Sequence, residues 1–229
     1  MVSIAPFSTK DGLASRAGAG PLTLASLRPY IHEQLLALHE YTDNAAGLDF
    51  PGLFTEAMAA DADAEYVVRF RLGSTYTASQ WLYAQLYLDG ALVTSGYWNY
   101  GNGLQQSTSA YTLSNTTSSA VNVCAGASAN VAWEGELTFP SLFVSQVSSS
   151  GARYPMALNN ASRVIGYASG APSFVVSSAG PGTEHVGKRV TGLRLYPSVY
   201  GDNSYKIGKT DYTGTLPAFV ALYKRSRAL

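Results

Sequence analysis

The chain has 229 residues, of which 13% are charged and 46% are hydrophobic, and it contains 16 tyrosines and 22 glycines. The charged share is about half of the ~25% usual for soluble domains, which excludes a coiled coil, and the hydrophobic share excludes a disordered chain. A chain of this length can bury a core without disulfides or a metal. No apolar run approaches the roughly 18 residues of a membrane-spanning helix, so we expect no membrane insertion.

The net charge is zero, yet the charges are unevenly distributed. Residues 1–152 carry 5 basic and 12 acidic side chains, whereas residues 153–229 carry 10 basic and 3 acidic ones. The basic C-terminal part suits an acidic polysaccharide or a neighbouring subunit's acidic region, or it is a solvated surface. Because its Lys and Arg residues are scattered, we expect no nucleic-acid partner. The single cysteine, Cys124, and the lack of a leader-like N-terminus predict production in a reducing cytoplasm.

The first sixty residues are predicted to form an arm and a helix. Residues 1–20 are small and glycine-rich, which is typical of an extended arm. Apolar residues spaced by three and four then predict one α-helix ending near Tyr41, because this spacing places them on a single face. Its apolar stripe consists of Leu24, Leu27, Ile31, Leu35 and Leu38. Residues 44–63 are predicted to be a connector with one short helical turn. We therefore expect an anchoring, self-associating segment at 1–60 and a displayed domain at 61–229.

From residue 65 onward the hydrophobic pattern alternates, which predicts β-strands. The predicted strands are 66–72, 82–88, 107–113, 120–124, 130–139, 154–158, 162–168, 173–177, 188–197 and 217–224. Asp89-Gly90 lies between two such runs and predicts a hairpin turn. Short strands separated by Gly, Ser, Asn and Pro are typical of an antiparallel sandwich or barrel.

Residues with catalytic or metal-binding chemistry are few. The three histidines are not spaced as zinc ligands, so we expect no metal and no cofactor. Glu134 and Glu136 point to one face of their predicted strand at roughly 6–7 Å, a separation found between glycosidase carboxylates. The alternative is two solvent-facing acids on a strand whose Trp133, Gly135 and Leu137 face inward. We expect the latter, and therefore no catalytic residue.

Aromatic residues are the more informative candidates. Tyr97, Trp98 and Tyr100 lie close together beside amide side chains, and a second segment, 200–206, has similar character. Such a set can pack a sheet, form a subunit contact or bind a glycan. If Trp98 fills the core, alternation leaves Tyr97 on the outside. The candidate glycan-binding residues are Tyr97, Asn99, Tyr100, Asn102, Tyr200 and Tyr205.

The C-terminal forty residues resemble the closing strands of bacteriophage tail-fibre and other virion β-sandwich domains. The resemblance rests on Val190-Thr-Gly-Leu-Arg-Leu-Tyr196, the turn with Gly201, Asp202 and Asn203, Gly214-Thr, and Phe219-Val-Ala-Leu-Tyr-Lys224. Residues 66–224 are compatible with it as a whole. Lys224 stands where a glycine is usual, and the last predicted strand contains Pro217. The resemblance implies a virion protein with a sandwich or jelly-roll fold, often trimeric, and assigns no catalytic residue.

Together these observations predict an all-β protein: an antiparallel, jelly-roll-like β-sandwich preceded by an N-terminal arm and one α-helix. We expect a structural virion component, such as a fibre, spike or receptor-binding protein, made in the bacterial cytoplasm. Its expected partners are other copies of itself, with a trimer preferred, other virion proteins, and host cell-surface polysaccharide. The alternative is a stand-alone carbohydrate-binding module or lectin.

Overall fold

A computed structural model of the chain describes residues 33–74, 80–105, 109–127, 132–149, 152–165, 174–197, 206–208 and 217–226. Contacts between residues divide the chain into two compact units, Met1–Gln34 and Leu35–Leu229. Only Glu33 and Gln34 of the first unit belong to the described ranges, so the account below concerns the second. None of the helices in those ranges has the length and apolar character needed to cross a membrane.

The second unit is an antiparallel β-sandwich, as the sequence predicts. Its secondary-structure elements, in chain order, are β1 (Glu33–Tyr41), β2 (Asn44–Ala45), β3 (Leu48–Phe50), α1 (Glu56–Ala59), β4 (Ala64–Ser74), β5 (Gln80–Leu88), β6 (Ala91–Leu92), β7 (Tyr97–Gln105), β8 (Ser109–Ser118), β9 (Val121–Ala127), β10 (Ala132–Phe139), β11 (Ser145–Ser149), β12 (Ala152–Met156), β13 (Leu158–Ile165), β14 (Phe174–Gly180), a 3-10 turn (Thr183–His185), β15 (Val190–Pro197), β16 (Ile207–Gly208) and β17 (Ala218–Ser226).

These strands form two large sheets and one hairpin. The first sheet has ten strands in the order β1-β17-β4-β10-β13-β14-β7-β8, with β16 and β2 joined at the side of β4. The second has five strands in the order β3-β15-β5-β6, with β9 also paired to β5. Strands β11 and β12 form a separate two-stranded sheet. One apolar cluster with side chains from both large sheets fills the space between them, and it determines which face of each strand is buried.

The predicted alternation of buried and exposed side chains is confirmed on β10. On β10, Trp133 and Leu137 are fully buried, while Glu134 and Glu136 between them are partly exposed. The predicted hairpin is confirmed as well, because β5 pairs with β6 across Asp89 and Gly90. Both turn residues have positive φ, 49° and 85°, which a two-residue turn of this kind requires.

The N-terminal prediction is partly wrong. Residues 33–41, predicted as the second half of a helix, form strand β1, and its leucines at 35 and 38 lie on an extended chain. Leu24, Leu27 and Ile31 are outside the described residues. The predicted helical turn within 44–63 is confirmed as α1, which Thr55 caps by accepting a hydrogen bond from the Met58 amide at 3.3 Å. The predicted boundary after residue 60 differs from the observed division, because residues 35–60 belong to the same unit as the sandwich.

Strand β7 is one of the strands that the sequence did not predict. Its first residue, Tyr97, is fully buried between the sheets. The Tyr97 hydroxyl accepts a hydrogen bond from the Leu86 amide at 2.7 Å and donates one to the Val93 carbonyl at 2.9 Å. Burial raises the pKa of Tyr97 well above its ordinary value. The hydroxyl therefore stays neutral and links β7 to the β5–β6 hairpin.

Buried amides join the two sheets at β9. Asn99 on β7 donates to the Ala120 carbonyl at 3.0 Å and accepts from the Asn122 amide at 2.9 Å. Asn160 on β13 donates to the Val123 carbonyl at 2.7 Å. Backbone groups of β9, and of Ala120 immediately before it, are thereby satisfied by side chains of the opposite sheet, which is what allows this backbone to be buried.

We predict that Tyr97→Phe lowers the free energy of unfolding by about 1–3 kcal/mol, because it removes two hydrogen bonds and leaves a buried amide without a partner. Urea denaturation followed by circular dichroism measures the effect. The matched control is Tyr100→Phe, which makes the same change at an exposed position and should shift stability by less than about 0.5 kcal/mol. Equal unfolding midpoints for the two variants would show that the Tyr97 hydroxyl does not join β7 to the hairpin.

Candidate functional site

The outward face of β7 carries aromatic and amide side chains. Because Tyr97 and Asn99 point into the sandwich, Trp98, Tyr100 and Asn102 share the opposite face. Tyr100 is 63% exposed, Asn102 is exposed and Trp98 is half-buried. On the neighbouring strand, Ser178 lies directly opposite Tyr100.

The β11–β12 hairpin adds a third aromatic ring to this face. The ring of Tyr154 lies edge-on to Trp98, with centroids 5.7 Å apart, and stacks on Tyr100 with centroids 6.4 Å apart and planes inclined by 23°. Both separations lie within the range of favourable aromatic pairs. The three rings therefore hold one another in place although they come from two different sheets.

A glycine brings the hairpin close enough for these contacts. A Cβ atom at Gly180, the last residue of β14, would lie 2.6 Å from the Pro155 carbonyl oxygen. Only a residue without a side chain allows β12 to approach the end of β14 this closely. The Ala157 amide, immediately after β12, then donates to the Ala179 carbonyl at 2.9 Å and fixes the position.

Between the rings lies a cavity of about 250 Å³, which we call the aromatic groove. Its lining combines three aromatic side chains, two of them tyrosines with hydroxyls of their own, an apolar end supplied by the hairpin, and the hydroxyl of a serine. The lining residues are Trp98, Tyr100, Val147, Tyr154, Pro155, Met156 and Ser178. None of these described lining residues is charged. The groove can offer aromatic faces to an apolar surface and hydrogen bonds to polar groups of a ligand.

The orientation of the Ser178 hydroxyl is set by a neighbour. It donates to the Asn159 side-chain oxygen on β13 at 2.7 Å. Because the Ser178 hydroxyl proton is donated to Asn159, the Ser178 oxygen can only accept a hydrogen bond from a group in the groove.

The structure separates the candidate glycan-binding residues into two groups. Tyr97 and Asn99 are buried and hydrogen-bonded inside the sandwich, so the prediction that they contact a ligand is corrected. The condition under which Tyr97 would point outward, a core position for Trp98, is not met, because Tyr97 is buried and Trp98 lies half-buried on the outward face. Tyr100 and Asn102 are exposed on the outward face, and Tyr100 lines the groove. Tyr200 and Tyr205 lie outside the described residues.

Sequence reasoning missed the partners of these rings. Tyr154, Pro155 and Met156 are more than fifty positions away from Trp98 and Tyr100, and Val147 precedes them on a strand that the sequence did not predict. Residues 154–156 were predicted as part of a strand, but an alternating pattern does not say which strand it meets. Their only sequence signal is the run of apolar residues around a tyrosine.

Elsewhere on the ten-stranded sheet, Glu134 and Glu136 are held by arginines. Glu134 pairs with Arg71 and with Arg163, in both cases at 2.7 Å, and Glu136 pairs with Arg69 at 3.3 Å. These are directly opposite positions on neighbouring strands, so the acids form charged rows across the sheet.

The arginines also rest on aromatic rings of β17. The Arg69 guanidinium lies 4.9 Å from the centre of the Tyr223 ring, and that of Arg71 lies 5.8 Å from the centre of the Phe219 ring. Both distances fall within the range of cation–π contacts. A trough of about 380 Å³ separates the charged rows and has Gly135 in its floor.

The environment of Glu134 sets its protonation. Partial burial acts to raise its pKa, but the hydrogen bonds and charges of Arg71 and Arg163 outweigh burial and hold the pKa below the ordinary 4.5. The general acid of a glycosidase requires the opposite shift. The geometry therefore fits the interpretation of Glu134 and Glu136 as solvent-facing acids in ion pairs. Among the described residues, no group of three or more His, Cys, Asp or Glu could hold a metal ion.

We predict that Glu134→Gln lowers the free energy of unfolding by about 1 kcal/mol at pH 7, because it replaces two partly exposed ion pairs by weaker hydrogen bonds. A carboxyl whose folded pKa is lowered stabilises the protein above its ordinary pKa, and this contribution is lost as the pH falls through the folded pKa. The difference between wild type and variant should therefore shrink from about pH 5 toward about pH 3.

Denaturant unfolding at several pH values measures this difference, and Glu40→Gln, a change at an exposed acid on β1, is the control. A gap between wild type and Glu134→Gln that is the same at neutral and acidic pH would contradict the role given to the arginines.

In comparisons with known proteins, no family model, no curated protein and no solved structure matches the chain.

Proposed function

We propose that this protein is a carbohydrate-binding β-sandwich that serves as an attachment component of a phage-like particle, with the aromatic groove as its glycan site. The single observation that carries the proposal is the convergence of Trp98, Tyr100 and Tyr154 on one uncharged cavity.

The chemistry of the groove supports a sugar as its ligand. A sugar ring has C–H faces that pack on aromatic rings, and hydroxyls at its edge that bond to polar side chains. The groove offers both, since the rings form its walls and Ser178 supplies a hydrogen-bonding group. Ligand sites commonly combine apolar and aromatic walls with a few placed polar groups. Tyr100, at 63% exposure, is also far more open to solvent than a ring that only stabilises a sheet needs to be.

Membership of a virion is supported by the sequence resemblance of the C-terminal strands and by the sandwich that this resemblance implies. The experiment that tests it is mass spectrometry of particles released by the strain that encodes the chain. Recovery of the chain from purified particles supports the attachment role. A chain that stays in the cell lysate and still binds sugar would be a stand-alone lectin.

We expect Trp98→Ala, Tyr100→Ala and Tyr154→Ala each to weaken glycan binding several-fold to about tenfold, because each removes one stacking surface worth about 0.5–1.5 kcal/mol. The measurement is a glycan array of bacterial surface polysaccharides, followed by titration of the best ligand with tryptophan fluorescence.

The matched control for these variants is Phe143→Ala, which removes another exposed aromatic ring that does not line the groove. Its affinity should equal that of wild type. Because Tyr100 is exposed, its variant tests the site without risk to folding. An array without any bound saccharide, or a folded Tyr100→Ala variant with unchanged affinity, would reject the groove as a glycan site.

Self-association is the second part of the proposal, and strand β1 carries it. β1 is the end strand of the ten-stranded sheet as described, and Leu35, Leu36 and Leu38 on it are 49%, 36% and 50% exposed. End strands bearing exposed apolar residues are prone to pair with another chain. We propose that a second copy of this chain covers the exposed leucines of β1. Strand β1 then takes the self-association role that the sequence analysis gave to an apolar helical stripe.

We expect wild-type protein to sediment as an oligomer and Leu36→Lys/Leu38→Lys to sediment as a folded monomer, because two charges on one face of β1 oppose its burial. Analytical ultracentrifugation measures both masses, and a wild-type mass of three chains would support the trimer. The control is Val186→Lys, a change at an exposed apolar position in the turn before β15. A monomeric wild type, or a double variant that remains oligomeric, contradicts self-association through β1.

A further inference from the structure

The lining of the aromatic groove carries information about which sugars fit it. Its hairpin end includes the apolar side chains of Val147, Pro155 and Met156, and Ser178 is its only lining side chain among the described residues that is neither apolar nor aromatic. An unsubstituted hexose carries a hydroxyl on nearly every ring carbon. Hydroxyls placed against Val147 and Met156 would lose their hydration without gaining a partner, which is unfavourable.

Charged sugars fit this lining even less well. A carboxylate, sulfate or phosphate group would have to leave water for a cavity whose described lining contains no cation. The cost of burying an unpaired charge exceeds that of burying a hydroxyl. The arginines of the same sheet are already paired with Glu134 and Glu136 on other strands.

The hydroxyl of Ser178 has a defined role in the groove. Since Ser178 donates its proton to Asn159 at 2.7 Å, its oxygen accepts a hydrogen bond from the ligand. The preferred ligand thus brings a donor for Ser178, an apolar group for Val147 and Met156, and a C–H face for the rings. A 2-acetamido group supplies the first two together, because its N–H is a donor and its methyl is apolar.

The size of the groove restricts the length of the ligand. Its volume of about 250 Å³ lies just below the roughly 300–1,000 Å³ of pockets that enclose drug-sized ligands. This space suits one sugar unit. Single-site affinity should be modest, and display of several copies on one particle would raise the overall affinity.

We propose that the aromatic groove selects a single 2-acetamido sugar unit over the corresponding unsubstituted sugar, an inference that rests on the proposed glycan-binding function. The acetamido N–H donates to Ser178, the methyl packs on Val147 and Met156, and the ring lies against the aromatic side chains.

Two matched pairs of saccharides test the selectivity on the full chain. The trimers of β1,4-linked N-acetylglucosamine and of β1,4-linked glucose differ only in the 2-substituent, as do the methyl glycosides of N-acetylgalactosamine and galactose. Titration by tryptophan fluorescence, with saturation-transfer NMR to detect the acetamido methyl, should show at least about tenfold tighter binding of the acetamido member in one pair.

Variants of the lining test the assignment of each contact. Val147→Thr exchanges a methyl for a hydroxyl at an exposed position and should weaken binding of the acetamido sugar about threefold, whereas Val176→Thr makes the same change outside the groove and should not. Ser178→Ala should reduce the preference for the acetamido member and leave binding of the unsubstituted sugar unchanged.

The outcomes distinguish this inference from the function on which it rests. If some saccharide binds in a Tyr100-dependent manner but neither pair shows the preference, the acetamido selectivity is wrong and glycan binding stands. If the preference is present but Val147→Thr and Val176→Thr behave alike, the methyl is not bound at the hairpin and the proposed contact is wrong. If no saccharide binds, both proposals are rejected.

Discussion

The hydroxyl of Tyr97 sits between the Leu86 amide and the Val93 carbonyl, and this position determines what the rest of β7 can display. Successive side chains of a strand lie on opposite faces, so the burial of Tyr97 assigns Asn99 to the inside as well. The side-chain amide of Asn99 then donates a hydrogen bond to the Ala120 carbonyl and accepts one from the Asn122 amide. Trp98 and Tyr100 have no alternative to the outward face, since a shift of register by one residue would expose these buried polar contacts.

That outward face divides into two chemically different regions. Over β17, β4, β10 and β13 it carries the rows of arginine and glutamate, and over β14 and β7 it carries the aromatic side chains. In the first region, opposite charges on neighbouring strands compensate one another, and the arginines lie over rings. Because each positive charge lies beside a negative one, these rows produce only a weak net electrostatic potential at the surface. The second region contains the uncharged cavity, whose lining is aromatic and apolar apart from Ser178.

The sequence predicted those features that local patterns control. Alternation is a local property, so β4, β5, β10 and β15 were found, and the turn at Asp89 and Gly90 followed from backbone geometry that few other residues adopt. Residues 33–41 were predicted wrongly because Glu, Gln, Leu and Ala favour helices in isolation, whereas the place of this segment at the edge of a sheet overrides that preference. Strand β7 was missed because Gly and Asn are depleted in strands, although here Asn99 is needed inside the fold.

The candidate site was only half predictable for a related reason. The cluster at 97–102 was identified by its composition, but the face on which each ring lies depends on Tyr97 finding partners at Leu86 and Val93. Tyr154 contacts Trp98 and Tyr100 only because the chain folds back on itself, and no sequence pattern in either segment indicates that the two segments meet.

The close approach at Gly180 has a consequence for how such a protein can diversify. Four of the seven groove-lining residues belong to the β11–β12 hairpin, which is a sheet of its own, and the contact that seats it uses backbone atoms of Pro155. Side chains of the hairpin can therefore be exchanged without disturbing the core of the sandwich, provided that position 180 keeps a glycine. Substitutions that change the lining of the groove and substitutions that affect folding would then fall on separate parts of the chain. Gly180 is the position at which these two parts contact each other.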